Sequence, residues 1–192
     1  MTRTSSLHAE RDAMRTVANL MAAAARTAPK GRGVDAISTM VVEGEDLETL
    51  ARAMEDTAPG RPEIISNGFQ RDARNVRDSH CTLLIGVTGL PKKPENPFDC
   101  GACGFRTCSN LMNARDKVTV SSDFFGPICV FASIDLGIAL GSAVRVAADH
   151  NIDNRMMYTM GVAAANLKWL DADIVIGIPL SATGKSIYFD RG

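Results

Sequence analysis

Between residues 99 and 108 the chain reads Asp-Cys-Gly-Ala-Cys-Gly-Phe-Arg-Thr-Cys, which sets Cys100, Cys103 and Cys108 at C-x2-C-x4-C spacing. Three thiols in nine residues, separated by Gly101, Ala102 and Gly104, make a poor core pattern, because the segment offers little apolar surface to bury. They make a good pattern for an inorganic centre. Two residues between the first cysteines let a tight turn aim both sulfurs at one point, and glycine takes the positive φ angles that such wrapping demands. Backbone N–H groups can then face the sulfurs and tune a reduction potential. A fourth cysteine, Cys129, follows in Gly-Pro-Ile-Cys at C-x20-C spacing from Cys108. An iron–sulfur cubane takes four cysteine thiolates, so Cys100, Cys103, Cys108 and Cys129 are the expected ligand set for a [4Fe-4S] cluster. Cys81, the fifth cysteine, is the reserve ligand, and a small buried hydrophobe is its plainer reading. The alternative metal is zinc, which also takes four thiolates but is usually held by two paired knuckles; here the fourth ligand stands alone.

The flanking sequence predicts how the rest of the chain is organised. Residues 7–28 carry an apolar stripe at helical spacing (Met14, Val17, Ala18, Met21, Ala25) that Pro29 stops. A short strand at residues 39–42 precedes an amphipathic helix over 45–57, with Leu47, Leu50, Ala51 and Met54 on one side, and then a charged helix over 64–78. Residues 81–87, CTLLIGV, form a continuous apolar run, the pattern of a strand buried on both faces. Pro91, Pro94 and Pro97 stiffen the loop that leads to Cys100. A short helix after Cys108, with Ser109 as its cap, precedes a small-residue helix over 134–150 that Ser133 or Asp135 caps, a buried functional acid being the other reading of Asp135. A helix over 155–170, a buried strand over 173–179 and an edge strand over 187–189 complete the reading. Alternating helices and buried strands predict an α/β or α+β class. One domain over 1–192, with 91–129 as its cluster-binding segment, suits a chain of 192 residues.

Composition excludes several functions. The net charge is −1, with 21 Lys and Arg against 22 Asp and Glu, and aromatic residues are only 5%. A nucleic-acid binder carries a basic excess or a stacking platform, so neither DNA nor RNA is an expected partner. The most apolar stretch, residues 128–148, is broken by Asp135 and Arg145 and reads as a buried helix, so no membrane partner is expected. The N-terminal residues lack a signal-peptide core and carry Glu10 and Asp12, so a cytoplasmic location is expected, where an odd count of 5 cysteines points to ligands and thiols, not disulfides. Thr183-Gly184-Lys185-Ser186 is not a P-loop: Pro179 stands where the motif needs glycine.

DCGACGFRTC resembles the four-cysteine cluster module of the corrinoid iron–sulfur protein and of an electron-transport complex subunit. From AARTAPKGRG at residues 24–33 onward, and above all in the tail that begins GPICVFASIDLGIALGSAVRVAADHN, the chain is similar to a prokaryotic family described only as containing a ferredoxin domain. That resemblance implies a [4Fe-4S] cluster and electron transfer to a redox partner protein or a small-molecule acceptor. The ARTAP segment, the small-residue helix and Gly177-Ile178-Pro179 resemble nitroreductase-like flavoproteins, which implies that fold, FMN as a second cofactor and oxidoreductase activity. The N-terminal Arg-Ser-x-Arg motif of those flavoproteins is missing, so Lys30 and Arg32 are the candidates for an FMN phosphate. The Gly- and Ala-rich helix is also suited to packing against a second copy of itself, a homodimer.

Overall fold

Strand β2, Cys81–Val87, has every residue buried, and the architecture follows from that fact. Its odd-numbered side chains Cys81, Leu83, Ile85 and Val87 enter one apolar core, while Leu84 enters a second on the opposite face. The computed structural model describes residues 3–119 and 122–189. In it β2 is flanked by β1 (Ile37–Glu43) and β4 (Ile174–Ser181), and the two-residue β3 (Asp153–Asn154) borders β4, in the order β1-β2-β4-β3. All three pairings are antiparallel. The expected class is therefore realised as α+β. The continuous apolar run of β2, typical of parallel sheets, arises here because helices cover both faces.

Helices α1 (Ser6–Thr27) and α5 (Val130–Asp149) cover one face, with Met14, Met21, Leu136 and Ala143 packed on Leu83, Ile85, Ile178 and Leu180. Helices α2 (Glu45–Thr57), α3 (Glu63–Arg77) and α6 (Tyr158–Asn166) cover the other, with Leu50, Met54, Phe69 and Met160 on Val42, Leu84 and Val175. Helix α6 sits directly on the β4 backbone: a Cβ at Gly161 would lie 1.8 Å from the Val175 carbonyl oxygen, so only glycine is admitted there.

Three predicted elements differ from the structure. Helix α5 begins at Val130, one turn before the expected start, so Asp135 lies inside it and caps nothing. Helix α6 begins only at Tyr158, because Met157 and Gly177 exchange backbone hydrogen bonds (2.8 and 3.1 Å) that keep residue 157 on the sheet; Lys168, with φ +56°, ends its C-terminal extension. Residues 187–189 form a turn, not an edge strand, since the Tyr188 ring is drawn into the second core and its hydroxyl meets Ser79 Oγ at 2.9 Å. Residues 190–192 of the expected loop-like tail lie outside the described residues.

Among the described residues α5 is the one helix long and apolar enough to cross a membrane. Its Ala132, Leu136, Ala139, Leu140 and Ala143 are buried in the first core. Asp135 is 2% exposed in an ion pair with Lys92, itself 2% exposed. The Lys92 Nζ lies 2.8 Å from Asp135 Oδ2, off the line of a directed hydrogen bond, so the attraction between them is Coulombic. The other oxygen, Oδ1, accepts from the Gly31 N–H (2.8 Å), and Lys92 also donates to the Val34 carbonyl (3.2 Å).

Candidate metal centre

The chain leaves the sheet after β2 and returns to it at α5, and the excursion carries the cysteines. Its backbone is left-handed at Asp99 (φ +46°), Gly101 (φ +72°) and Gly104 (φ +85°), and the Gly104 N–H closes a turn on the Gly101 carbonyl at 2.9 Å. No atom lies within 4 Å of a Cβ built at Gly104, so the glycine serves conformation there and not close packing. The Asp99 carboxylate then accepts from the Cys108 N–H at 2.7 Å, which folds residues 99–108 back on themselves and sets the first cysteine near the third. Helix α4 (Cys108–Arg115) starts at Cys108, capped by the Thr107 hydroxyl accepting from the Asn110 N–H at 3.1 Å; Ser109, the expected cap, lies inside it. Cys129 is the N-cap residue of α5. Two of the four thiols therefore stand at helix N-termini, where the backbone favours negative charge.

Cys100 is exposed, Cys103 and Cys108 are half-buried, and Cys129 is buried; all five cysteines are free thiols. Cys103 and Phe105 pack on the same core that holds Cys129 and Leu111. Among the described residues no three Cys, His, Asp or Glu side chains are gathered in a metal-ligating group. Four thiols, with a left-handed glycine turn among the first three, are the donor set that a cluster takes. A cavity of about 170 Å³ adjoins Cys108, between Pro91, Pro94 and Met112.

Cys81 lies elsewhere. It begins β2, whereas the excursion departs beyond Val87, roughly 20 Å along the strand at 3.4 Å per residue. It is 1% exposed, and burial pushes its thiol up to about 12. A larger cavity, about 540 Å³, opens beside it between Arg15, Glu43 and His80, at the end of the sheet remote from the other cysteines.

The candidates for an FMN phosphate are both engaged. Lys30 Nζ donates to the Ala25 carbonyl (2.9 Å) and to that of Arg26, at the C-terminus of α1, and its side chain is 6% exposed. Arg32 donates to the Asn96 carbonyl, and its guanidinium lies 4.7 Å from the centre of the Phe98 ring. The turn bearing Lys30 and Arg32 thus touches the proline loop two residues before Cys100.

Residues 125–191 match the family described as "Uncharacterized protein containing a ferredoxin domain (DUF2148)"; the matched stretch contains Cys129 but not the other three candidate ligands. An uncharacterized protein of Archaeoglobus fulgidus is 48% identical over 180 residues, 94% of this chain and 92% of that one. The chain belongs to this family. The fold of this ferredoxin-domain family member is similar to that of nitroreductases. A nitroreductase family protein from Clostridium novyi NT aligns over 90% of this chain and 75% of its own, with a TM-score of 0.51 and 17% identity. A nitroreductase with bound FMN from Desulfitobacterium hafniense DCB-2 aligns over 96% of this chain and 81% of its own, with a TM-score of 0.52 and 13% identity. This chain spans only 60% of an NADPH:FMN oxidoreductase from Vibrio harveyi, with a TM-score of 0.51 and 11% identity.

Sequence reasoning located the four cysteines but missed what holds them. Asp99, Lys92, Arg115 and Asp173 gave no periodic or motif signal, because each acts on a partner distant in sequence or through the backbone.

Proposed function

We propose that this chain is a cytoplasmic iron–sulfur redox protein whose [4Fe-4S] cluster is held by Cys100, Cys103, Cys108 and Cys129. The observation that carries the reading is the glycine turn closed by Asp99 on Cys108, which puts three cysteines on one short folded-back segment in a chain of a ferredoxin-domain family. A bound cluster supplies one-electron exchange at a potential set by its charge, its hydrogen bonds and its exposure. The chain's own contribution is to offer thiolates at two helix N-termini, to present Cys100 at the surface, where a redox partner protein or a small electron acceptor can approach, and to shield Cys129 from water. Iron and acid-labile sulfide in protein purified without oxygen test the reading, with Cys129→Ser and Cys81→Ser beside it. Near four irons per chain are expected in the wild type and in Cys81→Ser, with a clear loss in Cys129→Ser. Equal iron in wild type and Cys129→Ser rejects Cys129 as a ligand. One zinc and no sulfide rejects the cluster in favour of a zinc-stabilised interaction module.

The second reading adds FMN and oxidoreductase activity, on the strength of the fold shared with a flavin-bound nitroreductase. Here Lys30 is committed to the end of α1, and a phosphate at Arg32 competes with the Asn96 carbonyl. A yellow cofactor released on denaturation supports this reading; a protein with iron and no flavin leaves the first alone.

A further inference from the structure

The cluster reading requires Cys108 and Cys129 to be held at a fixed separation, although they lie on different elements. We infer that Arg115 and Asp173 are the positioning residues that do this; the inference rests on the proposed cluster. Cys108, Leu111 and Arg115 recur at i, i+3 and i+7 and share one face of α4; Leu111 and Arg115 are 0% and 7% exposed. The Arg115 guanidinium lies 4.7 Å from the centre of the Phe125 ring and forks between two acceptors: Nη1 donates to the Pro127 carbonyl (2.8 Å), Nη2 to Asp173 Oδ2 (2.9 Å). The same Oδ2 accepts from the Gly89 N–H (2.5 Å), and the Gly89 carbonyl accepts from the Cys129 N–H (2.8 Å). The contacts close a ring from Arg115 through Asp173, Gly89 and Cys129 to Pro127 and back to Arg115. Ile128 fills the place of a Gly89 side chain: a Cβ there would stand 2.3 Å from Ile128 Cγ2. One end of the ring is the helix that begins with Cys108, and the other is the backbone of Cys129.

A rigid planar fork fixes two distances at once, whereas a lysine ammonium at the same place satisfies one acceptor well. This separates positioning from general fastening. The excursion has another ion pair, Arg61 with Asp123, which Tyr158 joins; none of these residues belongs to the ring.

The test uses the full chain reconstituted with iron and sulfide under anaerobic conditions, in wild type, Arg115→Lys, Asp173→Asn and the control Arg61→Lys. A ferrous chelator then bleaches the cluster. Residues that orient metal ligands typically change retention about 10- to 100-fold. Arg115→Lys and Asp173→Asn are expected to bleach faster by that factor, with no further gain in the double variant, since both break one ring. The EPR signal of the reduced cluster is expected to shift in Arg115→Lys and Asp173→Asn and to stay as in wild type in Arg61→Lys. Wild-type bleaching in both ring variants overturns the inference, as does equal acceleration in Arg61→Lys, which would signify general loosening. Asp173→Asn preserves shape and decides the matter if Arg115→Lys does not fold. A wild type that takes up no iron overturns the cluster reading and, with it, this one.

Discussion

The buried pair between Lys92 and Asp135 invites a quantitative test. Both side chains are 2% exposed, and Asp135 has one hydrogen-bond donor of its own, the Gly31 N–H. Lys92→Met keeps the apolar stem and removes the ammonium, so a carboxylate is left in the core without its counter-charge, and the Val34 carbonyl loses its donor. Breaking a buried pair from one side typically destabilises by about 3–5 kcal/mol. For a chain of this size each kcal/mol moves the melting temperature by about 2–4 °C, so the midpoint should fall by roughly 6–20 °C. Thermal unfolding followed by circular dichroism, on cluster-free samples of both proteins, reads this directly. The double substitution Lys92→Met with Asp135→Leu removes both charges and should recover most of the loss, because an apolar pair of similar volume commonly matches a buried ion pair. If Lys92→Met melts within about 2 °C of wild type, the stabilising role given to the pair is wrong. If the double variant is no better than the single one, the loss comes from packing and not from the stranded charge.

Two further outcomes follow from the thiols and from α5. Burial raises the Cys81 thiol from 9.0 to about 12, so the folded protein keeps a proton that the unfolded chain releases. The associated stability is present below pH 9 and is lost as pH climbs toward 12, with a slope of up to about 1.4 kcal/mol per pH unit. Cys81→Ala should flatten that alkaline limb in urea titrations at pH 8, 9 and 10, and an unchanged slope refutes the assignment. Ile134 and Ile138 are 48% and 39% exposed on α5, and the Cβ positions of Gly137 and Gly141 face open space, so this face is proposed to meet a second copy of the chain. Ile138→Glu should then convert a dimer to a monomer in analytical ultracentrifugation; a wild type that sediments as a monomer at high micromolar concentration rules the interface out.

Local pattern made most of the fold legible. The α1 stripe, the α2 stripe and the full burial of β2 were readable because a helix or a doubly covered strand writes its period into consecutive residues. The capping role expected of Asp135 fails because its partner, Lys92, lies 43 residues earlier in a loop with no period of its own. The late start of α6 was hidden for a related reason: the backbone pairing of Met157 with Gly177 is a long-range contact that helix-favouring side chains do not announce. The cysteine spacing marked the candidate ligands, yet the ring through Arg115 and Asp173 involves four backbone carbonyl and N–H groups, which no sequence distinguishes.

The hydrogen bond from Cys129 to Gly89 has an architectural consequence. The polypeptide exits and re-enters the body at adjoining backbone atoms, so the detour between them is a cassette hung on a doorway that is already shut. Two of its side chains reach back through that doorway, since Lys92 pairs with the buried Asp135 and Leu111 fills part of the first core. Exchange of the exposed cysteine turn alone leaves strand order and helical layers untouched, whereas excision of the whole detour strips the body of a counter-charge and a core side chain.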